Sequence, residues 1–210
     1  MKFTKRDMLF FASGTLLAST LTPLLIEAST PKAVKLPVEP FSEEKIVKQI
    51  NIKEELKTWK CPNCTPAEQY VLAELQKNTR ITDRNSLATI LGNIMQESRF
   101  TSNICEGGTR VNYQNCRKGG YGLIQWTSLS RYKGLGNFCK KFGCDPSSLE
   151  GQTRYMINED IFQRYLPMFE GGGQTVRQYM VPAYYWLGWG IKGNREIYSY
   201  EYVNKLKYML

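Results

Sequence analysis

Glu97 stands near the end of an apolar run in GNIMQESRF, residues 92–100, and GYGLIQW follows at residues 120–126. A carboxyl group among apolar neighbours does one job well. It keeps its proton near neutral pH and can hand it to a poor leaving group, such as the alkoxide of a glycosidic bond. Met95 and Phe100 are its apolar neighbours in sequence. A helix C-terminus beneath it adds to its proton affinity. GYGLIQW has the complementary composition. Gly120 and Gly122 let backbone approach a ligand closely. Gln125 can both donate to and accept from sugar hydroxyls or acetamido groups. Tyr121 and Trp126 offer flat apolar faces with polar edges. Taken singly, each feature also has an ordinary reading: a solvated glutamate, a turn, a Leu-Ile core pair.

The chain has no histidine. Zinc hydrolases, Cys-His peptidases and Ser-His-Asp enzymes all need imidazole as ligand or base, so those mechanisms are closed to it. Hydrolytic chemistry here must rest on carboxylates, with lysine or tyrosine as the lesser alternative. No cofactor and no metal site is indicated.

The elements that must position Glu97 read as helices. Thr65-Pro66-Ala67-Glu68 is a helix start, with a capping threonine, proline in the first turn and glutamate three residues on. Asp83 caps the next helix, where Leu87, Ile90, Leu91, Ile94 and Met95 follow the spacing of a deeply buried helix with Glu97 at its C-terminal end. Residues 101–120 break this pattern. They read as a small β-hairpin or an irregular lobe, with Thr109–Tyr113 as a short strand. Helical patterns resume at 129–142, ending at Gly143, and further helices are expected near 147–166, 175–188 and 194–209, with boundaries at Gly171–Gly173 and Gly190.

Upstream, the organisation changes. Lys2, Lys5 and Arg6 precede a mostly apolar run from Met8 to Ile26, and Ala28 ends a small-residue exit. Residues 1–28 therefore read as a signal peptide, with a retained membrane anchor as the competing reading. TKRDMLFF weakly resembles a twin-arginine export motif, Lys5 standing for its first arginine. Residues 29–60 read as a proline-rich linker followed by a short amphipathic helix over 43–58, and the main domain as 61–210. The six cysteines agree with export: Cys61 with Cys64, Cys105 with Cys116 and Cys139 with Cys144 form three local pairs, read as disulfides. The lone CPNC lacks the strand and helix of a redox site and is read as a structural clip. The net charge is +9. No basic run is long enough for a nucleic-acid tail, and charge alone does not choose among nucleic acid, anionic lipid and a wall bearing carboxylates and phosphates.

ESRF followed by GYGLIQW resembles the Glu-Ser-x-Phe … Gly-Leu-Met-Gln pattern of the lysozyme and lytic transglycosylase superfamily. The longer match, TPAEQYVLAELQ … LATILGNIMQESRF … GYGLIQWTSLSRYKGL, resembles the phage tail lysozyme family over roughly residues 65 to 170. The resemblance implies a mainly α fold with a small β element (α+β), its cleft lying between a helical body and a β-hairpin. By the same resemblance Glu97 aligns with the catalytic acid, and Tyr121, Gly122, Leu123 and Gln125 with the cleft-lining segment. Glu106, the sole acidic residue between the motifs, falls where such enzymes often place their base. Facing Glu97 at about 6.5–9.5 Å it would admit a water and give inversion; at about 5–5.5 Å retention is expected. It reads equally well as a solvated loop glutamate beside a disulfide. If it is inert, Glu97 acts alone and a sugar hydroxyl attacks, as in lytic transglycosylases. The expected partner is then peptidoglycan, or a chitin-like polymer, and not nucleic acid. Membrane contact is expected only through an uncleaved N-terminal segment, and the protein is expected to be a monomer that is periplasmic, secreted or virion-associated, from phage or bacterium. A non-catalytic wall-binding or virion-structural module on the same fold is the alternative.

Overall fold

The computed structural model describes residues 58–209. The signal peptide or anchor, the linker and, save Thr58, the helix expected over 43–58 lie outside the described residues. The fold is mainly helical with one small antiparallel sheet, as expected: seven helices and two strands among the described residues.

Strand β1 (Thr58–Lys60) pairs with β2 (Lys207–Met209), Trp59 opposite Tyr208. Gln76 holds β1 in place: its Oε1 accepts from the Trp59 amide at 2.7 Å and its Nε2 donates to the Trp59 carbonyl at 2.9 Å. Helix α1 (Pro66–Asn78) starts at the expected capping box of Thr65 and Glu68. Helix α2 (Arg84–Ser98) is capped by Asp83, which accepts from the Ser86 amide at 2.9 Å. Leu87, Ile90, Leu91 and Ile94 are all fully buried, because α2 packs against four other helices: α1, α5 (Asp160–Glu170), α6 (Val176–Leu187) and α7 (Arg195–Lys205).

Three expectations are corrected. The helix expected over 147–166 is two helices, α4 (Leu149–Asn158) and α5, because Glu159 between them adopts extended backbone at φ −69° and ψ 131°. Helix α7 ends at Lys205, where Leu206 is buried and the chain turns into β2. The strand expected at Thr109–Tyr113 is replaced by irregular backbone, with isolated bridges at Ile104–Arg110 and Cys105–Tyr121 and a 3-10 turn at Tyr113–Asn115. That lobe satisfies its own polar groups, with Cys105 donating to Thr109 at 2.8 Å and Val111 to Asn103 at 2.9 Å. Helix α3 (Leu129–Phe142) ends at Gly143, in left-handed backbone, as expected. Gly188 ends α6 in left-handed backbone, and Gly190 lies in the segment between α6 and α7, where the boundary is expected. All three expected disulfides are present: Cys61–Cys64, Cys105–Cys116 and Cys139–Cys144.

Candidate functional site

Glu97 occupies the last turn of α2, and its side chain is 14% exposed. Its Oε1 accepts a hydrogen bond from Nη2 of Arg195, the first residue of α7. Two influences compete for its proton. Burial pushes its pKa above the ordinary glutamate range; the Arg195 hydrogen bond and charge, and the more distant charge of Arg131, pull it down without cancelling the rise. Burial thus favours the protonated carboxyl more than water would, the direction a general acid requires.

Arg195 is itself fixed. Its Nη1 donates to the carbonyls of Ile191 and Lys192, both at 2.8 Å, and its guanidinium lies 4.7 Å over the Trp189 ring. Gln96 anchors the same turn, its Oε1 accepting from the Asn194 amide at 2.8 Å. Neighbouring residues of α2 therefore hold both the backbone and the side chain at the start of α7.

The two sequence motifs meet directly. Ser98 Oγ donates to the carbonyl of Leu123 at 2.7 Å, and both residues are buried. After Ser98 the chain turns sharply, with Arg99 and Phe100 at φ 50° and 61°. Two consecutive non-glycine residues in left-handed backbone carry a strain of about 1–2 kcal/mol each. Phe100 is buried against Tyr202, ring centroids 6.1 Å apart, which helps to offset it.

GYGLIQW closes on itself as a tight loop. The Tyr121 and Trp126 backbones exchange hydrogen bonds at 3.3 and 3.0 Å, and Gln125 donates to Gly122 at 3.0 Å. The expected open aromatic faces are corrected here. The Tyr121 and Trp126 rings are fully buried. Tyr121 donates its hydroxyl to the Val111 carbonyl at 3.1 Å, and Trp126 Nε1 donates to Glu159 at 3.4 Å. Gln125 turns its amide onto the Gly122 carbonyl at 2.9 Å. Gly122 does permit a close approach, but by Gln152: a Cβ there would fall 2.3 Å from the Gln152 Oε1.

Gln152 is fully buried and joins three segments. It accepts from the Leu123 amide at 2.7 Å and donates to the carbonyls of Ser102 and Pro146 at 2.7 and 2.8 Å. Beneath Trp126, Arg131 grips Glu159 with two bonds of 2.6 and 2.7 Å. Glu159, whose backbone is extended between α4 and α5, is buried where it meets the half-buried Arg131.

Glu106 is exposed, and its Oε2 accepts from the Gly120 amide at 2.9 Å while its own amide donates to the Gly120 carbonyl at 2.8 Å. A Cβ at Gly119 would sit 1.7 Å from that oxygen. Glu106 thus ties the 101–120 lobe to the GYGLIQW loop.

A largely buried, arginine-bonded glutamate thus ends a central helix, and its neighbour Ser98 staples that helix to a glycine-framed loop. The phage tail lysozyme profile matches residues 67–178, more than half of the chain. The chain belongs to the phage tail lysozyme family. Membership makes it a lysozyme-like protein that acts on peptidoglycan. No curated protein and no solved structure matches it. The span matched to the phage tail lysozymes holds Glu97, the lobe, the GYGLIQW loop and the Arg131–Glu159 pair; Arg195 lies beyond it. Sequence reasoning missed Arg195, Gln96, Gln152 and the Arg131–Glu159 pair. Their partners lie 28 to 98 residues away, and no local spacing marks them.

Proposed function

We propose that this phage tail lysozyme family member is an exported or virion-associated glycosidase of lysozyme type, cleaving the glycan strand of peptidoglycan between N-acetylated sugars. Glu97 is its general acid. The observation that carries this reading is the placement of Glu97, largely buried at the end of α2 and bonded to Arg195. As the glycosidic bond breaks, Glu97 passes its proton to the leaving oxygen and the guanidinium stabilises the carboxylate left behind; water bonds to the anomeric carbon and gives up a proton, which restores the acid. The three disulfides are consistent with an oxidising destination.

A second reading draws support from Glu106, whose carboxylate is engaged by the Gly120 amide. In that reading Glu97 works alone and a hydroxyl of the substrate sugar is the nucleophile, giving an anhydro-ended product. Digestion of purified peptidoglycan, with the fragments weighed by mass spectrometry, separates the two. Reducing-end fragments support hydrolysis; anhydro-ended fragments support the second reading. Glu97→Gln is expected to abolish either product while the protein still folds. Full cleavage by that variant removes Glu97 from the mechanism. Binding without fragments from the parent points to a non-catalytic wall-binding or structural module.

A further inference from the structure

With Tyr121 and Trp126 committed to the core, the outer surface must supply any platform for a glycan. One surface row of aromatic rings runs to the candidate acid. Tyr165 of α5 stacks on Tyr185 of α6, centroids 5.6 Å apart and planes 17° apart. Tyr185 meets Tyr184 edge-on at 5.3 Å, and Tyr184 meets Trp189 edge-on at 5.4 Å. Trp189 underlies Arg195 at 4.7 Å, and Arg195 bonds to Glu97. Tyr184 and Tyr185 are 47% and 54% exposed. Val181 shares their outward face by helical spacing and is also exposed. A protein seldom leaves joined rings open to water without a use for them, since burying each would be favourable.

We propose that Tyr185, Tyr184 and Trp189 form a stacking track that receives the glycan strand and delivers it to Glu97. This rests on the glycan-cleaving reading of the site. A pyranose ring is apolar on its axial C–H face and polar at its rim, and tyrosine and tryptophan are built the same way. The occupant is a strand of N-acetylated sugars because the row ends on the guanidinium that holds the acid. Trp189 has a double role: it offers its ring to the strand and supports the Arg195 guanidinium. Trp189, Tyr184 and Tyr185 all lie beyond the span matched to the family.

The test uses the full chain and peptide-free strands of alternating N-acetylglucosamine and N-acetylmuramic acid. Binding is measured by co-sedimentation or calorimetry in the Glu97→Gln background, so that no strand is cut. Replacing both Tyr184 and Tyr185 with alanine there is expected to weaken binding about tenfold, and two phenylalanines are expected to restore most of it. In the parent background the alanine pair should raise KM about tenfold and change kcat less than about twofold. Strand affinity unchanged by the alanine pair overturns the track and leaves the glycosidase reading intact. Cleavage by Glu97→Gln overturns that reading instead, and the KM of the alanine pair in the parent background then decides the track. No measurable affinity of the Glu97→Gln protein for the strands also overturns the track.

Discussion

Ser98 Oγ and the Leu123 carbonyl are 2.7 Å apart and buried, so the residue next to the candidate acid carries the loop that follows 25 residues later. Ser98→Ala leaves that carbonyl without its donor. The expected cost is about 2 kcal/mol, or roughly 4–8 °C in Tm for a domain of this size, read by thermal unfolding. Cleavage at 25 °C should fall as well, because the loop then loses its tie to Glu97. Unchanged Tm and activity would mean that the bond contributes nothing to the site.

The pH profile follows from Glu97. Burial raises its pKa, and a general acid acts only while protonated. Activity is expected below that pKa and is lost as pH rises through it, at a pH above the ordinary glutamate range. Arg195→Ala removes the main opposing influence and should move this alkaline limb to higher pH while lowering kcat. The sign for stability is the same. With the folded-state pKa raised, the contribution of the carboxyl is present at low pH and lost as pH climbs through the folded value. The Tm of Glu97→Gln relative to the parent should therefore improve as pH rises across that window.

Trp126→Ala should act on folding. Removing this fully buried ring is expected to cost about 3–5 kcal/mol, enough to lower Tm by roughly 10 °C or more. Trp126→Phe keeps most of the packing and loses only the indole bond to Glu159, so its Tm should lie much closer to the parent's. A stable Trp126→Ala protein with weakened glycan binding would place the ring in the cleft instead.

Glu106→Gln tests the second carboxylate. Glutamine keeps an oxygen for the Gly120 amide, so a purely structural Glu106 predicts kcat within about threefold of the parent. A catalytic base predicts a loss of about 10²–10⁴. The ratio is read from initial rates on purified peptidoglycan.

What the sequence revealed and what it hid divide along the range of the interactions. Thr65 with Glu68, and Asp83 with Ser86, act within one helical turn, and their caps were legible. The local cysteine pairs were legible for the same reason. Arg195 bonds across 98 residues and stands in NRE, a tripeptide that carries no periodic signal. The inward turn of Tyr121 and Trp126 escaped notice because an aromatic residue in a glycine-rich loop suits a cleft and a core equally. Only the positions of Val111 and Glu159 decide between them. At the split between α4 and α5 the buried Glu159 likewise meets a partner 28 residues away, Arg131.

Gly92 meets α7 so closely that a Cβ there would fall 2.4 Å from the Ser199 amide nitrogen. The helix bearing the acid and the helix bearing its guanidinium therefore touch backbone to backbone about one turn from Glu97, with no side-chain cushion to let them slide. The energy of placing a buried charge beside that carboxyl is spent while the chain folds, not while substrate binds. On the proposed reading the glycan meets Glu97 already set in place, and the rate of cleavage should owe little to any closing motion between those two helices.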